Sequence, residues 1–99
     1  MTIEKKLDGG RLTLALDGRL DTNTSPELDA ELALDGVTEV VFDLAKLEYI
    51  SSAGLRVFLT AQKKLMPSGG KVVLRSPNAM VRSVLDITGC ADIFQLDEA

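Results

Sequence analysis

From Val37 to Leu44 the chain is nearly continuous apolar sequence with β-branched residues, interrupted only by Thr38, Glu39 and Asp43. A short run of this kind reads as a central strand covered on both sides. It passes through a short loop to Ser51 and Ser52, where the next helix must begin. That helix carries an apolar face of Gly54, Leu55, Phe58, Ala61, Leu65 and Met66 and a polar stripe of Arg56, Thr60, Lys63 and Lys64. It stops at Pro67-Ser68-Gly69-Gly70. A strand followed by a helix of this length calls for a crossover to a parallel strand. Lys71–Arg75 supplies one.

The rest of the chain fits the same plan. Ile3, Lys5 and Leu7 alternate with polar neighbours, Asp8-Gly9-Gly10 supplies a turn, and Leu12, Leu14 and Leu16 alternate again. This predicts an antiparallel hairpin with one buried face, closed by Asp17-Gly18. The polar stretch 21–26 leads into a helix. Ser25 as N-cap with Pro26 at the first helical position is one reading of its start, and Thr24 with Glu27 as a capping box is the other. Leu28, Leu32 and Ala33 recur at helical spacing, Asp29 and Glu31 face outward, and Asp35-Gly36 ends it. Ser76-Pro77 repeats the cap-then-proline device before Met80, Val81, Val84 and Leu85, and Gly89 closes that third helix. Asp92–Leu96 is a short final strand or terminal extension. The order is ββαβαβαβ, an α/β fold: a mixed sheet with an N-terminal hairpin, parallel later strands and helices packed on it. Ninety-nine residues make one domain, 1–99.

Composition narrows the function. The net charge of −4 argues against nonspecific nucleic-acid binding, which needs a basic surface to displace counterions. Four aromatics, none of them Trp, leave little for a base-stacking platform. Cys90 is the only cysteine, so no internal disulfide can form; with no signal-peptide pattern, a reducing cytoplasm is expected. Cys90 reads as a small buried hydrophobe, since nothing cationic adjoins it in sequence. No apolar run approaches a membrane span.

Histidine is absent, which removes the commonest general base and metal ligand. Gly9-Gly10 and Gly69-Gly70 are turns without the Lys-Ser/Thr that follows a phosphate-binding loop. Asp43, at a strand end, reads as a loop-ordering carboxylate. No catalytic constellation, cofactor motif or metal cluster emerges, and an enzyme is not expected.

The serines are the chemical feature. A hydroxyl at a helix N-terminus sits beside unpaired N–H groups and the positive end of the helix dipole. A phosphate would be tolerated there while changing the surface that a partner meets. The plain alternative is that one serine only caps the helix.

Tyr49-Ile50-Ser51-Ser52-Ala53-Gly54-Leu55-Arg56-Val57 resembles the signature of STAS domains, the family of bacterial anti-sigma factor antagonists. Gly18-Arg19-Leu20-Asp21 followed by Ser25-Pro26-Glu27-Leu28 fits too, as does the order of elements over essentially all 99 residues. The resemblance implies that the unphosphorylated protein binds an anti-sigma factor that is itself a serine kinase, freeing a sigma factor. It implies that this kinase phosphorylates Ser52 and abolishes binding, and that a PP2C-type phosphatase resets the cycle. Ser51 is the second choice for the phosphate, because phosphorylated members often carry Asp where Ser51 stands.

The implied partner-binding set is Asp21, Ser51, Ser52, Gly54 and Arg56. Gly54 reads first as a residue packed closely against the sheet and second as a gap that lets a partner approach the Ser52 backbone. Arg56 reads as a contact for kinase or phosphate at i to i+4 from Ser52. Arg19 is expected in a surface ion pair, and Lys63 and Lys64 at the favourable end of their helix dipole. Ser51 in place of Asp also keeps open an unphosphorylated interaction subunit of a membrane lipid-transport or transporter assembly. A weak nucleotide-binding or nucleotide-hydrolysing protein is the third reading, disfavoured by the missing phosphate loop and the absent histidine.

Overall fold

The computed structural model describes residues 1–98. Five strands form one sheet in the order β1-β2-β3-β4-β5: Thr2–Asp8, Arg11–Leu20, Glu39–Ile50, Lys71–Arg75 and Gln95–Asp97. The first pair is antiparallel and the other three are parallel. Helices α1 (Ser25–Asp29), α2 (Ser52–Leu65) and α3 (Ala79–Ile87) fill the three crossovers. Each parallel crossover moves one strand further in the same direction. Right-handed connections of that kind place all three helices on one face of the sheet.

The core lies on that face. Leu12, Leu14 and Leu16 of β2, Val40, Phe42 and Leu44 of β3, and Val72 and Leu74 of β4 alternate inward. They meet Leu28 of α1, Phe58, Ala61 and Leu65 of α2, and Val81 and Leu85 of α3. Phe58 is the hub, tilted on Phe42 with centroids 4.4 Å apart and edge-on to Phe94 at 6.3 Å. Cys90 is buried in the same core.

Several expectations need correction. The central strand is not covered on both sides by helices. Val41 and Val73 face the other way and are buried outside the main core. Their face also carries the ion pairs Arg11–Glu39 and Arg75–Asp97, at 3.5 and 3.4 Å. The hairpin's fully buried face lies on β2; β1 adds only the partly buried Ile3, and Leu7 is 62% exposed.

Asp17-Gly18 does not close β2, and no loop separates Leu44 from Ser51. Both strands run on to Leu20 and Ile50 in one parallel ladder. Two register shifts, between Ala15 and Asp17 and between Gly18 and Arg19, insert an extra residue each time into β3. Those bulges accommodate the polar residues that made the segment read as a loop.

The first helix is shorter than its periodicity suggested. It ends at Asp29, and Leu32 reaches the core from a turn. Neither expected cap forms there: Thr24 is the N-cap residue but gives no side-chain capping bond. At α3, Asn78 rather than Ser76 is the cap. Its Oδ1 accepts from the Val81 N–H at 2.8 Å, and its Nδ2 donates to the Leu47 carbonyl at 2.9 Å. Met66 and Met80, read as core-facing, are 65% and 40% exposed.

Candidate functional site at the carboxyl rim of the sheet

Loops at the carboxyl ends of parallel strands form one rim, where open α/β sheets gather their functional groups. Here the rim is built by β2 and β3, whose ends lie side by side as Leu20 pairs with Ile50. The Ser51 N–H donates to the Leu20 carbonyl at 2.9 Å, so the start of α2 is tied to the residue before Asp21. Sequence positions thirty residues apart are thereby neighbours.

Asp21 orders its own loop. Its Oδ1 accepts from the Asn23 and Thr24 N–H groups at 2.9 and 3.1 Å, while Thr24 Oγ1 accepts from the Asp21 N–H at 2.9 Å. This reciprocal pairing, three residues apart, is the capping-box geometry placed one turn ahead of α1. Thr24 Oγ1 also donates to the Arg19 carbonyl at 2.8 Å, and Ser25 Oγ donates to the Asp21 carbonyl. The backbone N–H of Thr24 is the main reason the Asp21 carboxyl titrates below the usual aspartate range. Partial desolvation opposes that shift, while the Asn23 N–H, the Thr24 hydroxyl and the Arg19 charge add to it.

The two serines differ. Ser51 is the N-cap residue of α2, extended at φ −103° and ψ 175°, but its hydroxyl makes no capping bond. Its Oγ is shut off from solvent and, among the described residues, has no hydrogen-bond partner. Ser52 is the first residue of the helix and is exposed. Its turn therefore begins without a side-chain cap and with its hydroxyl accessible.

Gly54 is buried. A Cβ there would lie 2.7 Å from Leu20 Cγ and 2.9 Å from Ile50 Cγ1, so the glycine lets α2 settle on the ends of β2 and β3. Arg56 is exposed one turn after Ser52. It lines an open groove between α1 and α2 with Thr22, Pro26, Asp29, Val57 and Thr60.

Among the described residues Arg19 makes no ion pair. Its guanidinium lies 4.3 Å from the centre of the Tyr49 ring, on the face turned away from the helices. Lys64, beyond its place near the α2 C-terminus, donates to the Leu32 carbonyl at 2.8 Å. Asp43 accepts from the Ala45 N–H at 3.1 Å, an intrastrand contact beside the first bulge.

Sequence reasoning missed Thr24, the partner of Asp21, and the groove itself. The spacing of Asp21 and Thr24 was the available signal. Among the described residues no cluster of three or more His, Cys, Asp or Glu side chains is arranged to hold a metal ion. Nor is any helix among them long and apolar enough to cross a membrane.

Known proteins share this architecture. The anti-sigma factor antagonist SpoIIAA in its unphosphorylated form superposes with a TM-score of 0.86 at 19% identity, over 96% of this chain and 87% of that one. The Bacillus protein SpoIIAA in its phosphorylated form gives 0.77 at 18% identity, over 96% and 90%. At the level of sequence, BtrV of Bordetella bronchiseptica, assigned as an anti-sigma factor antagonist, is 42% identical over 92 residues. The match spans 90% of this chain and 78% of BtrV. The family model described as STAS domain matches residues 2–99. Strand order, the serine-bearing helix start and this end-to-end match agree: the chain belongs to the STAS domain family.

Proposed function

We propose that this protein is an anti-sigma factor antagonist that works in the cytoplasm as a binding protein rather than an enzyme. Its unphosphorylated rim, with Asp21 and Ser52 at the centre, docks on an anti-sigma factor that is a serine kinase and displaces the sigma factor. The kinase then transfers the γ-phosphoryl group of ATP to Ser52. The Ser52 Oγ–P bond forms, the bond from phosphorus to the ADP oxygen breaks, and the hydroxyl proton passes to a base of the kinase. A PP2C-type phosphatase hydrolyses the ester and restores the binding form.

One observation carries this reading. Of the two serines at the start of α2, Ser52 is exposed and Ser51 has its hydroxyl shut away. A modifying enzyme reaches the first and not the second. The 42% identity to BtrV supports the choice of partner class. A phosphate of charge near −2 inside a protein interface repels or must be paired, at a cost of order several kcal/mol.

The test is phosphoryl transfer and binding with the purified anti-sigma kinase. Incubation with ATP should add one phosphoryl group, mapped by mass spectrometry to Ser52, and Ser52→Ala should remain unmodified. Ser52→Asp should unfold at nearly the wild-type temperature, because a helix start accepts negative charge, yet bind the kinase at least tenfold more weakly, roughly 1.4 kcal/mol. Asp21→Ala should weaken binding, while Glu31→Ala, which loses only an exposed contact to Lys5, should not. Phosphate mapped to Ser51, or equal binding by wild type and Ser52→Asp, would refute the switch. A protein that meets the kinase and is never modified would point to the unphosphorylated interaction subunit.

A further inference from the structure

Four of the five arginines are engaged. Arg11 holds Glu39, Arg19 lies on Tyr49, Arg75 holds Asp97, and Arg82 holds Asp86. Among the described residues Arg56 alone has neither a carboxylate nor a ring. It is exposed, four residues after the exposed Ser52 on the same helix, and it stands on the wall of the groove between α1 and α2. Asp29 lines the same groove from α1 and, among the described residues, also makes no ion pair.

We propose that a phosphate on Ser52 captures Arg56 in an i, i+4 ion pair and draws its guanidinium out of the groove. The inference rests on the reading that Ser52 is the modified residue. Residues four apart lie on one helix face, and the acidic member on the N-terminal side is the favourable orientation. A guanidinium offers a planar fork of donors to phosphate oxygens, which a carboxylate in the same place matches with half the charge. No other cation on α2 competes. Lys63 and Lys64 sit in its last turn, and Lys64 is held by the Leu32 carbonyl. Once Arg56 turns to the phosphate, Asp29 is left as the charged group of the groove, and this part of the surface changes from mixed charge to acidic. A partner that docked against Arg56 meets the phosphate and also loses its cation.

The test needs no kinase. Phosphoserine is installed at position 52 of the full chain by genetic-code expansion, and the phosphate is titrated by phosphorus NMR. Arg56→Gln should raise the second pKa of the phosphate by about 0.2–0.4, because the guanidinium favours the dianion. Arg56→Lys should recover part of the difference, and high salt should shrink it. In parallel, the Arg56 Nε–H signal should shift and exchange more slowly in the phosphoprotein than in the unmodified protein. An unchanged phosphate pKa in Arg56→Gln, with the Nε–H signal indifferent to phosphorylation, would overturn the inference. Failure of a kinase to modify Ser52 would instead strike the functional reading, and the two failures are separable.

Discussion

Ser51 is where local preference and actual structure part. Serine is a favoured N-cap, and truncating a capping serine typically costs about 1 kcal/mol. Here the hydroxyl is buried and, among the described residues, without a partner, so removing it deletes an unsatisfied polar group rather than a cap. Ser51→Ala should therefore leave stability unchanged or raise it slightly, as read by urea unfolding. A loss near 1 kcal/mol would show that the hydroxyl caps α2 in solution. Asp21 behaves in the opposite way, since one oxygen of its carboxylate, Oδ1, orders its own loop. Its folded pKa is lowered, so its contribution to stability is present above the unfolded value of about 3.9 and is lost as pH falls through the folded value. Wild type should be more stable than Asp21→Asn at pH 6, and the gap should close below about pH 4. A gap that persists undiminished at low pH would show that charge is not the cause.

Between elements, one polar side chain ties α3 to β3. Asn78 caps the helix through Oδ1 and reaches the Leu47 carbonyl through Nδ2, beyond the point where β4 stops pairing with β3. Asn78→Ala should cost about 1–2 kcal/mol from the lost cap and the unsatisfied carbonyl. Asn78→Ser keeps a capping acceptor for the Val81 N–H and loses only the bond to Leu47, so its loss should be smaller. Chemical denaturation of the pair measures both. Equal losses would assign the whole effect to the tie with β3. The site motif itself was legible, because a serine pair between an apolar strand and an amphipathic helix marks a helix start. The loop before it was misread. Ala45–Ile50 carries Lys46 and Glu48, and only the bulged pairing with β2 makes it a strand.

Across the whole molecule, one core serves every element, and Phe58 touches it from the centre. It packs on Phe42 and Phe94 and is fully buried. Phe58→Ala should cost about 3–5 kcal/mol, a large share of the stability of a domain of this size. Loss of near- and far-UV circular dichroism should remain coincident; transitions that separate would mean the core is divided. Periodicity alone determined the element order, the parallel pairing of the later strands, the inward leucines of β2 and most of the inward face of α2, because alternation and helical spacing are local properties of a chain. Which face stays free of helices was decided by crossover direction, which no window of residues contains. The same holds for the rim. Leu20 beside Ser51, Gly54 seated on two strand ends, and a buried Ser51 hydroxyl next to an exposed Ser52 all depend on the register of β2 against β3. Register joins residues thirty apart through backbone hydrogen bonds and two bulges, so it exists only once the sheet has formed.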